Sequence, residues 1–260
     1  MNRTISIIIP AFNEAAEIGK TLAALRSLGG NTEIIVADGG SDDGTAAVAR
    51  DFRAIVVESP RGRGGQMHAA ALASSGKILW FVHADSKPAP DALNEILSAL
   101  EDPSVAAGNF TLRFAGESRP AKFMTWFYRH IRKIGLLYGD SGIFVRRDAY
   151  ERVGGFKPLP LFEDLELVGR LRKIGKLVTV DAEIITSSRR FENRAFLLVF
   201  VRWIVFQCLY WIGVSPHLMA RIYHYEKENP SRGHSSRSAR TVHLWGRRPD
   251  TTSDAKRHGS

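Results

Sequence analysis

Four short segments of this sequence set acidic or imidazole side chains after apolar residues. Asn13 and Glu14 follow Ser6-Ile7-Ile8-Ile9-Pro10-Ala11-Phe12, and Asp38 and Gly39 follow Glu33-Ile34-Ile35-Val36-Ala37. His83-Ala84-Asp85 follows Ile78-Leu79-Trp80-Phe81-Val82, and Glu163-Asp164 follows Phe162. Carboxylates bind hard divalent cations through oxygen and, suitably placed, take protons as general bases. Imidazole binds Mn2+ but is a poor ligand for Mg2+. A fifth segment, Arg61-Gly62-Arg63-Gly64-Gly65, precedes an Ala-rich helical stretch that starts near Gln66. Its glycines let backbone N–H groups approach an anion, and the helix N-terminus behind them favours negative charge.

The intervening residues predict how these segments are placed. Thr4–Ile9, Glu33–Ala37, Ala54–Val57 and Ile78–Val82 are short apolar runs of strand type. Between and after them lie helical stretches: one bearing Ile18, Leu22 and Leu25, then Asp43–Phe52, Gln66–Ser75 and Asp91–Leu100. Strand and helix in alternation imply a parallel sheet with crossovers. Ligands of such sheets sit beyond the carboxyl ends of the strands. Asn13, Asp38 and Asp85 each follow one of those ends and are expected on one edge. Asn13 serves equally well as a helix cap, and Asp38-Gly39-Gly40 as a plain turn.

The second half reads as a strand over Val105–Arg113, a mixed basic and aromatic helix over Lys122–Leu137, a short strand over Gly142–Arg146 and a helix over Asp164–Gly175, with a strand at Leu177. The expected division is an α/β body over 1–190, made of the alternating half of about 1–100 and the second half of about 101–190. A hydrophobic helical extension follows over 191–225, then a basic, disordered tail over 226–260.

The chain has 260 residues, enough for one α/β domain with its own core. The single cysteine, Cys208, excludes an internal disulfide, and no Cys/His cluster suggests structural zinc, so a reducing cytoplasm is expected. Met1–Pro10 is already strand and motif rather than a signal peptide. The net charge of +9 suits phosphorylated substrates or anionic lipid, and part of it lies in the tail, which holds eight basic and four acidic residues. No nucleic-acid recognition motif accompanies that charge, so nucleic acid is not an expected partner.

Taken in order, Ser6–Glu14, Ala37–Thr45, Phe81–Asp85 and Phe162–Leu167 resemble the family 2 glycosyltransferases of the GT-A fold, over about Thr4 to Val180. The likeness is greatest to a bacterial branch with His-Ala-Asp where Asp-x-Asp is usual. The resemblance implies a mostly parallel central sheet flanked by helices, and an inverting, metal-dependent transfer of a sugar from a nucleoside-diphosphate sugar. It implies that Asp38 accepts the uracil N3–H with help from Pro10, Ala11, Asn13, Glu14 and Gly39, and that Arg63 contacts the diphosphate or sugar. Asp85 is implied to hold Mn2+ or Mg2+ beside Ala84, with His83 as a second ligand or a ribose or phosphate contact. Asp164 is implied as the base with Glu163 orienting it, although both also complement a helix dipole as first-turn acids. Asp140 and Ser141, in Gly139–Phe144, are implied on the acceptor side. A lipid, a glycan or a small molecule would each serve as acceptor. The competing readings are a non-catalytic nucleotide-sugar sensor or membrane-docked scaffold, and a nucleotidyltransferase. Ala11-Phe12-Asn13-Glu14 stands where the latter carries a Gly-rich basic loop.

Ala195–Gly213 is almost uninterrupted apolar sequence, 19 residues long, or roughly 28 Å as a helix at ~1.5 Å per residue. Arg202 and the lone amide Gln207 interrupt it, the arginine at about 2.5–3.5 kcal/mol for a span centre. A helix lying in a membrane interface, or packed on the body or a partner subunit, is therefore preferred to a span. Arg189, Arg190, Arg194, Trp203 and Trp211 suit an anionic surface. For the metal, Asp85→Ala is expected to weaken Mn2+-dependent donor binding more than His83→Ala does; calorimetry giving the reverse order would move the main ligand to His83.

Overall fold

The computed structural model describes residues 5–131, 138–188 and 196–228, with side chains to Ile222. Eight strands form one sheet: β1 Ile5–Ala11, β2 Thr32–Asp38, β3 Ile55–Glu58, β4 Ile78–Phe81, β5 Ser86–Pro88, β6 Val105–Phe114, β7 Phe144–Arg146 and β8 Lys176–Thr186, in the order β3-β2-β1-β4-β7-β6-β8-β5. The helices are α1 Ala15–Ser27, α2 Thr45–Asp51, α3 Arg63–Ala73, α4 Ala92–Ala99, α5 Arg119–Ile131, α6 Arg147–Arg152, α7 Glu163–Leu171, α8 Phe196–Trp211 and α9 Pro216–Glu228, with a 3-10 turn over Gly139–Ser141.

β3, β2, β1 and β4 run parallel. Their side chains alternate between two buried layers, as a sheet covered on both faces requires. Ile7, Ile9, Val36 and Trp80 pack towards Ile18 and Leu22 of α1 and Ile96 of α4. Ile8, Ile35, Leu79 and Phe81 pack towards Met67 and Ala70 of α3, Tyr150 of α6 and Leu167 of α7. The carboxyl ends of β1 and β2 lie side by side, Ala11 opposite Asp38, so the loops after them share one edge.

β7 runs antiparallel between β4 and β6, with Phe144 opposite both Trp80 and Gly108. β6 then runs parallel to β8, and short β5 closes the edge antiparallel to β8. The two halves of the chain thus share a single sheet.

α8 answers the question posed by the apolar stretch. Phe196, Phe200, Trp203 and Tyr210 pack against the main core, and Gln207 of the same face is buried. The spacing of four, three, four and three residues is one helical stripe. Phe123, Phe127 and Tyr128 of α5 and Tyr138 stack against this stripe. Among the described residues no helix is long and apolar enough to cross a membrane.

α9 continues through Glu228, so the first three residues of the expected tail, 226–228, are helical, contrary to the sequence reading. The rest of the tail (229–260), the end of the predicted 122–137 helix (132–137), and Arg189, Arg190 and Arg194 lie outside the described residues.

Gly108 marks the tightest crossing of the mixed sheet. A Cβ there would collide with the Phe144 ring and stand 2.7 Å from the Val178 carbonyl oxygen. Overpacking of this kind costs about 1–3 kcal/mol. Gly108→Ala is expected to lower the urea midpoint accordingly, with the slope unchanged.

Candidate active site

The loops at the sheet edge are braced before any ligand arrives. Asp38, buried at the end of β2, accepts the Gly40 and Ser41 N–H groups on Oδ2 (3.2 and 3.0 Å) and the Ser41 hydroxyl on Oδ1 (2.5 Å). A carboxylate offers about four acceptor positions, so one remains for a ligand donor. Gly39 donates its N–H to the Ala11 carbonyl at 2.9 Å. Buried Gln66 of α3 donates to the carbonyls of Ala11 and Ala37, both at 2.8 Å, and accepts the Gly62 N–H at 3.2 Å. Gln66 thus ties the ends of β1 and β2 to the glycine loop, a role that its place in an Ala-rich helix did not signal.

Two sequence expectations change here. The Ala11 carbonyl is already doubly engaged, so Ala11 braces the loop rather than offering that oxygen to a base. Asn13 does not cap α1. It adopts a left-handed backbone (φ 54°), accepts the Asp42 N–H on Oδ1 at 3.1 Å, and donates its own N–H to Ser41 Oγ at 3.0 Å. The cap of α1 comes from the neighbouring loop: Asp43 accepts the Ala15 N–H at 2.9 Å and also the Thr45 N–H at the start of α2. Glu14 is held by its N–H on Thr45 Oγ1 at 2.9 Å. These links join the first two motifs into one unit.

Arg63 opens α3 and stands among four acids. Its Nε lies 3.1 Å from Glu163 Oε1, and its Nη2 lies 2.8 Å from His83 Nε2. Burial opposes its charge, yet Glu163, Asp140, Asp164 and Asp85 together raise its pKa above the usual arginine value. Gly64 makes this approach possible, because a Cβ there would collide with the Lys157 carbonyl and lie 3.2 Å from Glu163 Cβ.

Asp164 is buried in the first turn of α7, where its Oδ2 accepts the Gly139 N–H at 2.5 Å and its Oδ1 the Leu165 N–H at 2.8 Å. Burial pushes its carboxyl up to about 6. The Glu163 charge reinforces the rise, while Arg63 and the Gly139 N–H oppose it. A carboxylate with that pKa is ionised near neutrality and basic enough to take a hydroxyl proton. The residue before the pair, Phe162, holds a left-handed backbone (φ 61°), and its ring packs on Tyr210 of α8 at 4.8 Å.

His83 and Asp85 flank a turn closed by Ser86 N–H on the His83 carbonyl. Buried Ala84 between them is fixed by Thr21, whose hydroxyl donates to its carbonyl at 2.7 Å. An arginine N–H can only donate, so His83 Nε2 is the accepting nitrogen and Nδ1 carries the hydrogen, 3.7 Å from Asp140 Oδ1. His83 Nε2 is therefore engaged by Arg63 rather than poised for a cation. Half-buried Asp85 receives the Thr186 hydroxyl at 3.4 Å. Among the described residues no three His, Cys, Asp or Glu side chains are grouped to cage a metal. A hard cation that keeps its waters and shares phosphate oxygens needs only one or two protein carboxylates, so Asp85 fits that manner of binding and a closed cage does not.

Asp140 faces His83 from the 3-10 turn. Ser141 does not. It is buried, donates to the Tyr138 carbonyl at 2.5 Å and accepts Asn109 Nδ2 at 2.7 Å, so its hydroxyl fixes the turn from inside. Thr179 completes this support by donating to Asn109 Oδ1 at 2.8 Å. Tyr138, missed in the sequence, donates to Gln207 Oε1 of α8 at 3.1 Å, and burial with the charges of Asp164 and Asp140 raises its pKa. Gln207 was visible as the lone amide within the apolar stretch.

The eight-stranded architecture is that of the GT-A glycosyltransferases. It matches a mannosyltransferase from Pyrobaculum calidifontis, solved with GDP-Man and Mn2+, at a TM-score of 0.60 and 22% identity, covering 75% of this chain and 59% of that one. It also matches glucosyl-3-phosphoglycerate synthase from Mycobacterium tuberculosis, solved with Mn2+, UDP and phosphoglyceric acid, at 0.57 and 21% identity, covering 82% and 79%. The sequence model of glycosyl transferase family 2 matches residues 6–153, more than half of the chain. The chain belongs to that family. Glycosyltransferase AglE of Haloferax volcanii is 29% identical over 168 residues, 58% of this chain and 55% of its own length. The chain thus spans about half the length of the curated relatives it matches.

The elevated carboxyl has a direct readout. The carbon-13 shift of the Asp164 side chain should titrate with a midpoint near 6. Glu163→Gln, which removes the neighbouring negative charge, is expected to lower that midpoint. Because the folded value exceeds the ordinary carboxyl value, this group's contribution to stability is full in acid and is lost as the pH rises through about 6.

Proposed function

We propose that this protein transfers a sugar from a nucleoside-diphosphate sugar to an acceptor hydroxyl, with inversion at the anomeric carbon. The observation that carries the reading is the buried, proton-avid Asp164, joined through Arg63 and Glu163 to the edge where His83 and Asp85 lie. Family membership and the solved relatives' complexes with nucleotides and Mn2+ support it.

In this reading Asp38 takes the imide N–H of a uracil base with its remaining acceptor position, and uridine is preferred on the grounds of the sequence resemblance. Arg63 turns from its carboxylate partners towards the donor diphosphate. Asp85 would hold the divalent ion, Mn2+ or Mg2+, which when bound offsets the negative charge gathering on the leaving diphosphate. Asp164 accepts the proton of the acceptor hydroxyl while that oxygen bonds to the anomeric carbon. The bond from this carbon to the diphosphate oxygen breaks on the opposite face, and the electron pair leaves with the nucleoside diphosphate. The sugar carbon passes through an oxocarbenium-like state, as in glycoside hydrolysis. Glu163 holds Arg63 until the donor arrives and sustains the basicity of Asp164. Asp140, beside His83, is assigned to the acceptor or the donor sugar. A reducing cytoplasm is the proposed compartment, in keeping with the single cysteine.

The test is a thermal-shift screen of nucleotide sugars with and without Mn2+, followed by measurement of released nucleoside diphosphate. Asp164→Asn should leave donor binding in place and lower kcat by about 10²–10⁴-fold, the usual share of a general base. Binding without release in the wild type, unaltered by the substitution, would favour a nucleotide-sugar sensor instead.

A further inference from the structure

The stripe of α8 that faces inward is accounted for, and the outward one is not. Leu198 is 71% exposed, Val201 49% and Trp211 58%, and Ile212 just beyond the helix is 76% exposed. α5 lies beside this surface: its partly exposed Phe123 packs edge-on against Phe196 and Phe200 of α8 at 5.7 and 5.3 Å. The exposed positions of α5 are Arg119, Lys122, Phe123, Trp126, Arg129 and His130. Their spacing of three, one, three, three and one is a single helical face, basic and aromatic together. Two of its cations already have acidic partners: Lys122 meets Glu117 at 2.8 Å and Arg129 meets Glu183 at 3.8 Å. Both pairs are solvent-exposed and hence weak.

Exposed apolar side chains gathered on one surface and rimmed by polar residues mark interaction sites. Its charge pattern selects the occupant. Neither α5 nor α8 contains an acidic residue, and every charge that they carry is positive. A second copy seated on the same face would set like charges together. An anionic lipid surface would meet cations at the headgroups, tryptophans at the interface and leucine or valine below. We propose that the protein docks on anionic membrane through the outward faces of α5 and α8. Resting on the glycosyl-transfer reading, the same geometry makes the acceptor a lipid whose hydroxyl lies at the membrane surface. The opposite stripe of α8 is the wall beside the base: Gln207 receives Tyr138, next to Gly139 on Asp164, and Tyr210 packs on Phe162. Among the described residues Gln207 Nε2 is buried without a partner, a donor left over on the site side of the docking helix.

The experiment is co-sedimentation of the full chain with phosphatidylcholine vesicles, with and without phosphatidylglycerol, alongside sedimentation velocity without lipid. Binding that requires phosphatidylglycerol is expected. Arg119→Gln should weaken it by about fivefold, the usual worth of one cation at such a surface. Leu198→Glu combined with Trp126→Glu should abolish it while the circular dichroism spectrum and the thermal shift given by the donor stay as in the wild type. A wild type that ignores both vesicles, or one that forms a dimer broken by the double substitution, overturns the docking proposal and leaves the glycosyl-transfer reading intact. Failure to release nucleoside diphosphate, with vesicle binding retained, sinks the transfer reading and spares the docking. With the donor found in the screen, radiolabelled sugar is expected in the chloroform phase; label confined to water would overturn the lipid acceptor.

Discussion

One guanidinium organises the site. Arg63 meets the acid of α7 on one side and the imidazole after β4 on the other, and the field of four carboxylates sets its charge. Without it, Glu163, Asp164, Asp140 and Asp85 would repel one another in a partly desolvated space, and the loops carrying them would have no common partner. A buried charge is tolerated when paired and hydrogen-bonded and is costly otherwise. The lack of a side chain at Gly64 and the backbone tie at Gln66 serve this contact, since they bring the N-terminus of α3 to where Arg63 reaches both neighbours. The arrangement suits an incoming diphosphate, which can replace carboxylates as the partner of the same cation.

The proposed base is built differently. Asp164 draws its basicity from burial and an acidic neighbour, and its orientation from two backbone N–H groups. One of those groups belongs to Gly139, whose turn rests on a buried polar chain from Thr179 through Asn109 to Ser141. Residues of β6, β8 and the 3-10 turn thus fix the Asp164 carboxylate on α7. None of the three supporting residues touches Asp164 in the described contacts, and each narrows the positions open to it.

Much of the first half was legible because its signals are local. Apolar runs such as Ile7-Ile8-Ile9 and Ile34-Ile35-Val36 carry strand character within themselves, and the polar residues after them fall on one edge by topology alone. What escaped depends on distant partners. β5 is a three-residue edge strand defined only by β8, and α6 follows β7 without a break in the chain. Asn13 lost its capping role to Asp43, which lies thirty residues on and approaches only once the two loops meet. Ser141 read as an acceptor contact because it stands beside Asp140, but the 3-10 turn points the two neighbours to opposite sides, one inward and one towards His83. The apolar stretch gave its length and its lone amide, while the surface that accepts them exists only after folding.

The backbone at Phe162 has a consequence for how the sequence can drift. A bulky residue with positive φ costs on the order of 1–2 kcal/mol, and here the ring's contact with Tyr210 offsets part of it. Glycine would relieve the angle but surrender the contact; leucine would retain the angle with a poorer fit. Positions 162 and 210, 48 residues apart, therefore form one unit, in which the ring at 210 supports a peptide geometry beside Asp164 as well as packing against the core.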